Sequence, residues 1–407
     1  MKPYHPSARR IPELNGLRVL LVFIVSWYHI WQQSWLTPHV GSYSLDFLVR
    51  AGYVPVDGTI LLSGFLLFLP HARAMLLGEP VPRTRVFYQR RIMRIVPCYA
   101  LTTLVMLFAV AIPYDSYHGN AAAMWKDVLM HLTFTQTFSY ATYIATPIGV
   151  ASWTVAIEMQ AYLIFPLLAK AARRNALGTL AGMAAVTLLF RSWAVWALDE
   201  YNMVVNQLIN FLDVYAIGMG ASILYVKLTT LYPSGKRRFL WQAAATAAVA
   251  AALWGLQALL RDQARSSGQA MIQAGQMIRR PAFGGLLAVL AVALPFTVRP
   301  IRFLMGNRLM GFLALISMNY YLMHQNIAVH LKRVGFPPSI SETPNMASGG
   351  PEKPWVYQYT ALCFGLSVLT AIAMTFLVEK PGAWLLKKGF DRLDKAQSRW
   401  NAQHGKA

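Results

Sequence analysis

Acid is scarce in this chain: 16 of its 407 residues are Asp or Glu, against 37 Lys and Arg. Cysteine is scarcer still, with Cys98 and Cys363 alone, so no disulfide framework can be drawn. Both sit in apolar runs, where a thiol is no obvious nucleophile. The sequence has no G-x-S-x-G elbow, P-loop, dinucleotide-binding glycine fingerprint or H-E-x-x-H helix, which removes the common soluble hydrolase, NTPase, dehydrogenase and zinc-protease readings. No Pro/Gly/Ser-rich linker or polar block of soluble-domain size interrupts the apolar runs, and no internal repeat is visible.

What is present is hydrocarbon. Hydrophobic residues make up 56% of the chain and charged residues 13%, and apolar runs of about 20 residues, the length that crosses a bilayer, recur along it. The pattern predicts an all-α, polytopic integral membrane protein with ten spans, at roughly 17–35, 54–71, 94–113, 152–170, 176–198, 206–226, 240–260, 281–298, 306–331 and 355–378. The net charge of +21 does not point to nucleic acid. With both termini cytoplasmic, 27 of the 37 basic residues fall in cytoplasmic segments, the positive-inside pattern that sets orientation. A basic external loop at 261–280 is the local exception. The basic start and first apolar run read as a retained helix rather than a cleaved signal, because Arg18, His29 and three tryptophans occupy it and no small-residue cleavage site follows. The long external connection 114–151 carries Tyr114, Trp125, Phe134, Phe138, Tyr140 and Tyr143 and reads as a partly helical cap at the outer interface. The second long connection, 332–354, is a loop by composition. The chain divides into a membrane domain, 1–381, and a basic amphipathic cytoplasmic tail, 382–407.

Ionisable residues inside spans are costly and mark functional sites. The first span holds Arg18 and His29 eleven residues apart. Eleven helical steps of about 100° return His29 to within about 20° of Arg18, and about 16 Å deeper. Arg90, Arg91 and Arg94 open the third span; Arg91 and Arg94, three apart, share a face able to grip a polyanion. Counting inward from span ends places Arg18 and these three at the cytoplasmic edge. It places His29, Asp57, Glu158 and His324 in the outer half. Such layering suits an anionic donor held from the cytosol and proton chemistry nearer the outside, with a carboxylate orienting an imidazole base. A transporter or flippase using the same groups as a proton relay is the competing reading.

Several segments together resemble the acyltransferase-3 family of integral membrane O-acyltransferases. They are Glu13-Leu-Asn-Gly16-Leu-Arg18 with His29; Val56-Asp57 with Leu62-Ser63-Gly64-Phe65-Leu66; Phe87-Tyr88 through Arg91-Ile-Met-Arg94-Ile-Val-Pro97; and Ser152-Trp153 through Glu158, Tyr162 and Phe165-Pro166. Weaker echoes follow at Ile316-Ser317 through Tyr321-Leu-Met-His324 and at Val378-Glu379-Lys-Pro381. Three departures stand out. Asn15 replaces the usual Asp, Gly58-Thr59-Ile60 stands where paired phenylalanines are common, and Met159 replaces a second Glu.

The resemblance implies a multi-pass protein of the bacterial cytoplasmic membrane. It moves an acyl group, acetyl first among the candidates, from cytoplasmic acyl-CoA to a hydroxyl of a carbohydrate, glycolipid or related small-molecule acceptor, without a metal. On this reading Arg18, Arg91, Arg94 and Arg90 hold the CoA phosphates. His29 is general base or acyl-accepting nucleophile, and Glu158, with Asp57 second, orients it or binds the acceptor. Ser63 and Tyr162 donate to the oxyanion, and Trp153 and His324 line the acceptor side.

Overall fold

A computed structural model describes residue 6, residues 10–345 and residues 352–404. Lys2 and Arg9, residues 346–351 of the second connection and the last three residues of the tail lie outside the described residues. The secondary structure is helical apart from a hairpin, β1 (His39–Val40) and β2 (Tyr43–Ser44). In chain order the helices are α1 (Glu13–Ser34), α2 (Asp46–Arg50), α3 (Val56–Leu77), α4 (Thr84–Met106), α5 (Ala121–Leu132), α6 (Tyr140–Tyr143), α7 (Trp153–Arg174) and α8 (Ala176–Ala197). Then follow α9 (Leu212–Leu231), α10 (Arg237–Ala264), α11 (Gln269–Ala293), α12 (Arg299–Gly306), α13 (Arg308–Arg333), α14 (Lys353–Met374) and α15 (Lys380–His404).

Among the described residues, ten helical segments are long and apolar enough to cross a membrane, and each contains the body of one predicted span. The largest offsets at helix starts have one cause. The third helical segment starts at Thr84 and the eighth at Gln269, ten and more residues before their predicted starts, because a hydropathy reading discounts the arginines in these first turns. The basic loop expected at 261–280 is accordingly two helix ends joined by a short turn, with Arg279 on Asp262 at 2.5 Å and Arg280 on Asp57 at 3.1 Å.

Polar groups lie inside the bundle because helices approach closely enough to enclose them. A Cβ on Gly218 of α9 would stand 2.2 Å from the carbonyl oxygen of Leu61, and one on Gly64 of α3 would stand 2.5 Å from that of Tyr215. Only hydrogen fits there, so α3 and α9 pack backbone against backbone. Gly16 does the same for α1 against Met305, at 2.5 Å. This pins α1 and α3, the two helices that carry the Arg18 and Ser63 motifs.

The connection from α4 to α7 is partly helical, and it re-enters the bundle rather than only capping it. Tyr117 and Thr146 both donate to Asp127, each at 2.7 Å. Burial and that bond push the Tyr117 phenol well above its ordinary pKa. Phe134 packs on Tyr99 of α4 at 4.7 Å, Gln136 donates to the Tyr99 hydroxyl at 2.6 Å, and Gln160 of α7 reaches back to the Phe134 carbonyl at 2.9 Å. Helix α7 therefore begins inside the bundle.

Candidate active site

Six of the residues singled out in the sequence converge. Arg18 of α1, Ser63 of α3, Arg91 and Arg94 of α4, and Glu158 and Tyr162 of α7 line one cavity of about 340 Å3. Glu158 counts as outer by its distance from the start of its helix, yet the depth at which α7 begins puts it opposite the arginines. Its carboxylate accepts from Ser63 at 3.1 Å and from Tyr162 at 3.0 Å. Both hydroxyl protons are thus committed to Glu158, and in this arrangement neither is offered to an oxyanion.

The three arginines are not equivalent. Arg94 pairs with Glu379 and donates to the Leu315 carbonyl at 2.9 Å, while Asn319 holds the other Glu379 oxygen at 2.8 Å. Arg94 is anchored. Among the described residues, Arg18 and Arg91 form no ion pair. Arg91 lies 5.7 Å from the Tyr162 ring and its buried Nε has no partner. Two guanidinium groups that face one cavity in no direct ion pair, with Glu158 as the one carboxylate lining that cavity, leave positive charge available to an anion. Arg90 is exposed and lines a second chamber of about 320 Å3 with Arg83 and His71. The two chambers share Leu66, Leu67 and Arg91.

His29 does not touch Glu158 by hydrogen bond or ion pair; its partner is Gln32, with Nδ1 3.1 Å from Oε1. The Gln32 amide nitrogen donates to the Tyr28 hydroxyl at 2.9 Å, which leaves Oε1 as an acceptor only. With the Gln32 amide in this orientation His29 Nδ1 carries the proton, and Nε2 holds the free lone pair. His324 packs 5.2 Å from His29, ring to ring. Its Nδ1 donates to the Tyr321 carbonyl at 2.7 Å and its buried Nε2 has no partner. Tyr321 lines the arginine cavity and stands 5.2 Å from His324. Two ring contacts thus separate the cavity from His29, and the two imidazoles present a pair of unprotonated nitrogens able to accept from a hydroxyl.

Asp57 lies elsewhere. It is fully buried and accepts from Arg280 Nε at 3.1 Å. Arg280 also donates to the Val205 and Asn210 carbonyls and stands 3.9 Å above the Phe211 ring. Arg191 forks onto Asp213 at 2.7 and 2.8 Å and bonds Asn210 at 2.6 Å. Trp153 stacks on Phe211 at 6.1 Å, against this layer and not in the cavity. The geometry is that of a charge-balanced clasp, two arginines and two aspartates joining α3, α8, α9 and α11.

Of the departures from the family pattern, Thr59 faces the arginine cavity, so a small hydroxyl side chain stands there in place of an aromatic ring. Met159 packs among apolar residues near Tyr99. Sequence reasoning passed over Gln32 and Tyr28, although their i+3 and i−4 spacing from one another and from His29 is a helical-face signal. It also passed over Arg191 and Asp213, intramembrane charges that the same cost argument would have flagged, and over Arg280, which the predicted spans leave in the external loop and the structure places inside a helix. Among the described residues no cluster of three or more His, Cys, Asp or Glu has metal-site geometry.

Comparison with known proteins gives the same assignment as the motifs. "Acyltransferase MdmB" of Streptomyces mycarofaciens is 27% identical over 165 residues, 40% of this chain and 40% of the relative. "Peptidoglycan O-acetyltransferase OatA" of Listeria monocytogenes is 26% identical over 165 residues, 39% of this chain and 24% of the relative. "O-acetyltransferase OatA" of Staphylococcus aureus is 26% identical over 171 residues, 40% and 25%. The chain thus matches less than half the length of each of these relatives. No solved structure matches it. A sequence model described as an acyltransferase domain matches residues 11–375, nearly the whole chain, and the protein belongs to that acyltransferase family.

Proposed function

We propose that the protein is a membrane O-acyltransferase that takes an acetyl or other short acyl group from acyl-CoA on the cytoplasmic side and delivers it to a hydroxyl on the outer side, or within the bilayer, on a carbohydrate or related acceptor. The observation that carries this reading is the cavity in which unpaired Arg18 and Arg91 face Glu158, two ring contacts from the His29–His324 pair. The printed activities of the relatives, O-acetylation in two of them, favour acetyl.

In this scheme Arg18 and Arg91 bind donor phosphates by charge-assisted bonds, with Arg94 held by Glu379 as a fixed flank. The adjoining chamber with Arg83 and Arg90 takes the nucleotide end. The pantetheine arm carries the thioester up the face of α1. His29 Nε2 accepts the acceptor's hydroxyl proton as the oxygen attacks the thioester carbonyl. The C–S bond then breaks, the ester is formed, and the imidazolium returns the proton to the departing thiolate. The alternative order, with Nε2 attacking first to give an acyl-imidazole, uses the same residues. Gln32 fixes the tautomer that either route needs, and Glu158 with Ser63 and Tyr162 shapes the polar wall between donor and base.

The test is binding and turnover of labelled acetyl-CoA by the purified protein in nanodiscs. His29→Ala is expected to abolish turnover, a loss of at least about 100-fold for a removed general base, with donor binding retained. Arg18→Ala/Arg91→Ala is expected to lose donor binding. A folded wild-type protein that binds no acyl-CoA, or a fully active His29→Ala, overturns the proposal.

A further inference from the structure

A second cavity, of about 770 Å3, lies between α9, α10 and α11 and shares no lining residue with the arginine cavity. Its wall is apolar, formed by Leu224 and Leu228 of α9, Leu240, Trp241 and Ala248 of α10, and Phe296 beyond α11. Along α9 it extends from Leu228 to Ile217, eleven residues or about 16 Å of helix. That is about half of a hydrocarbon core of about 30 Å, the reach of one acyl chain in one leaflet.

The mouth is cationic. Arg237 and Arg238 stand one turn before Trp241, on the face of α10 that lines the groove. Lys227 is next to Leu228, Lys236 precedes the arginines, and Arg299 follows Phe296 by three residues. None of the five forms an ion pair among the described residues. The sequence supplies no carboxylate between Asp213 and Asp262, nor between Asp262 and Glu342, so α9 beyond its first turn, the body of α10, α11, α12 and α13 contain none. Trp241, edge-on to Tyr232 at 6.0 Å, marks the headgroup level, where such rings settle. A slot of one acyl chain's length ending in unneutralised cations at the interface is complementary to one kind of molecule.

We propose that this groove binds an anionic phospholipid of the cytoplasmic leaflet. One acyl chain lies along Leu228–Ile217, and the phosphate and headgroup sit among Lys227, Lys236, Arg237, Arg238 and Arg299. The lipid would press on α9, whose backbone is locked to α3 through Gly218 and Gly64, and so would steady the helix that carries Ser63.

The experiment is native mass spectrometry of the protein released from mixed micelles containing equal phosphatidylglycerol and phosphatidylcholine. The wild type should retain one phosphatidylglycerol, favoured by at least about fivefold, the ratio given by about 1 kcal/mol per basic residue at an anionic surface. Arg237→Gln/Arg238→Gln should bring the ratio towards one, and Ala244→Leu/Ala248→Leu, which fills the slot, should lose the retained lipid altogether. Equal retention of both lipids by the wild type, a ratio unchanged in the arginine variant, or a dimer that excludes lipid and dissociates when the slot is filled would overturn the proposal. The wild-type competition decides the headgroup preference even where a variant fails to fold.

Discussion

Asp57→Asn is the perturbation for which the structure gives the sharpest number. Asp57 and Arg280 are both fully buried and 3.1 Å apart, a separation at which unit charges attract by about 5 kcal/mol at an effective dielectric of about 20. Removing the carboxylate leaves a guanidinium inside the bundle beside Arg191, whose own charge Asp213 already neutralises. Breaking a buried pair from one side costs about 3–5 kcal/mol. The Arg50–Asp46 pair on one turn of α2 is shorter, at 2.5 Å, but exposed, so Asp46→Asn should cost well under about 1 kcal/mol. The assay is thermal unfolding in detergent, followed by loss of the monodisperse chromatographic peak. Asp57→Asn should unfold far below wild type and Asp46→Asn near it. Asp57→Leu/Arg280→Met, which removes both charges and puts apolar side chains in their place, should recover most of the loss. Equal unfolding of the two Asn variants would refute the reasoning. Acetyl transfer separates the roles further: a clasp predicts that activity returns with the fold in the double variant, whereas a chemical role for Asp57 predicts a folded, inactive protein.

Two other outcomes follow from the geometry. Gln32→Glu places a carboxylate beside His29, stabilises the charged imidazole and should move the acid limb of the pH–rate profile to higher pH, while Gln32→Leu should lower kcat with donor binding unchanged; a profile that does not move sinks the tautomer argument. Gly218→Val drives a side chain into the Leu61 carbonyl and should cost at least about 1–3 kcal/mol, whereas Gly182→Ala, with nothing within 4 Å, should match wild type in the same unfolding assay.

Much of the architecture is legible along the chain because the bilayer imposes a one-dimensional rule. Each crossing needs about 20 apolar residues, so ten runs of that length become ten helices wherever they pack. The positive-inside count works equally locally. The rule fails where arginines sit within the first turns of a crossing helix, as at Arg90–Arg94 and Arg279–Arg280, of which Arg94, Arg279 and Arg280 are ion-paired, and there the helices begin well before their hydropathy starts.

The site divides along the same line. Residues that share a helix were paired by spacing alone: Arg91 with Arg94, and Arg18 with His29 in register. Partners on different helices were not. The spacing rules say nothing of Glu379 anchoring Arg94 across 285 residues, of Arg280 reaching Asp57 across 223, or of His324 settling against His29. Depth misled for Glu158 because α7 starts inside the bundle, where the re-entrant Phe134–Thr137 segment and Gln160 hold it. The sequence by itself determined which residues the membrane would make costly, since that cost depends only on side-chain charge and on the length of the surrounding apolar run. Which of those residues became a cavity and which a clasp was decided by tertiary structure, because that depends on contacts such as Gly218 against Leu61, where helices approach to the distance of a missing Cβ.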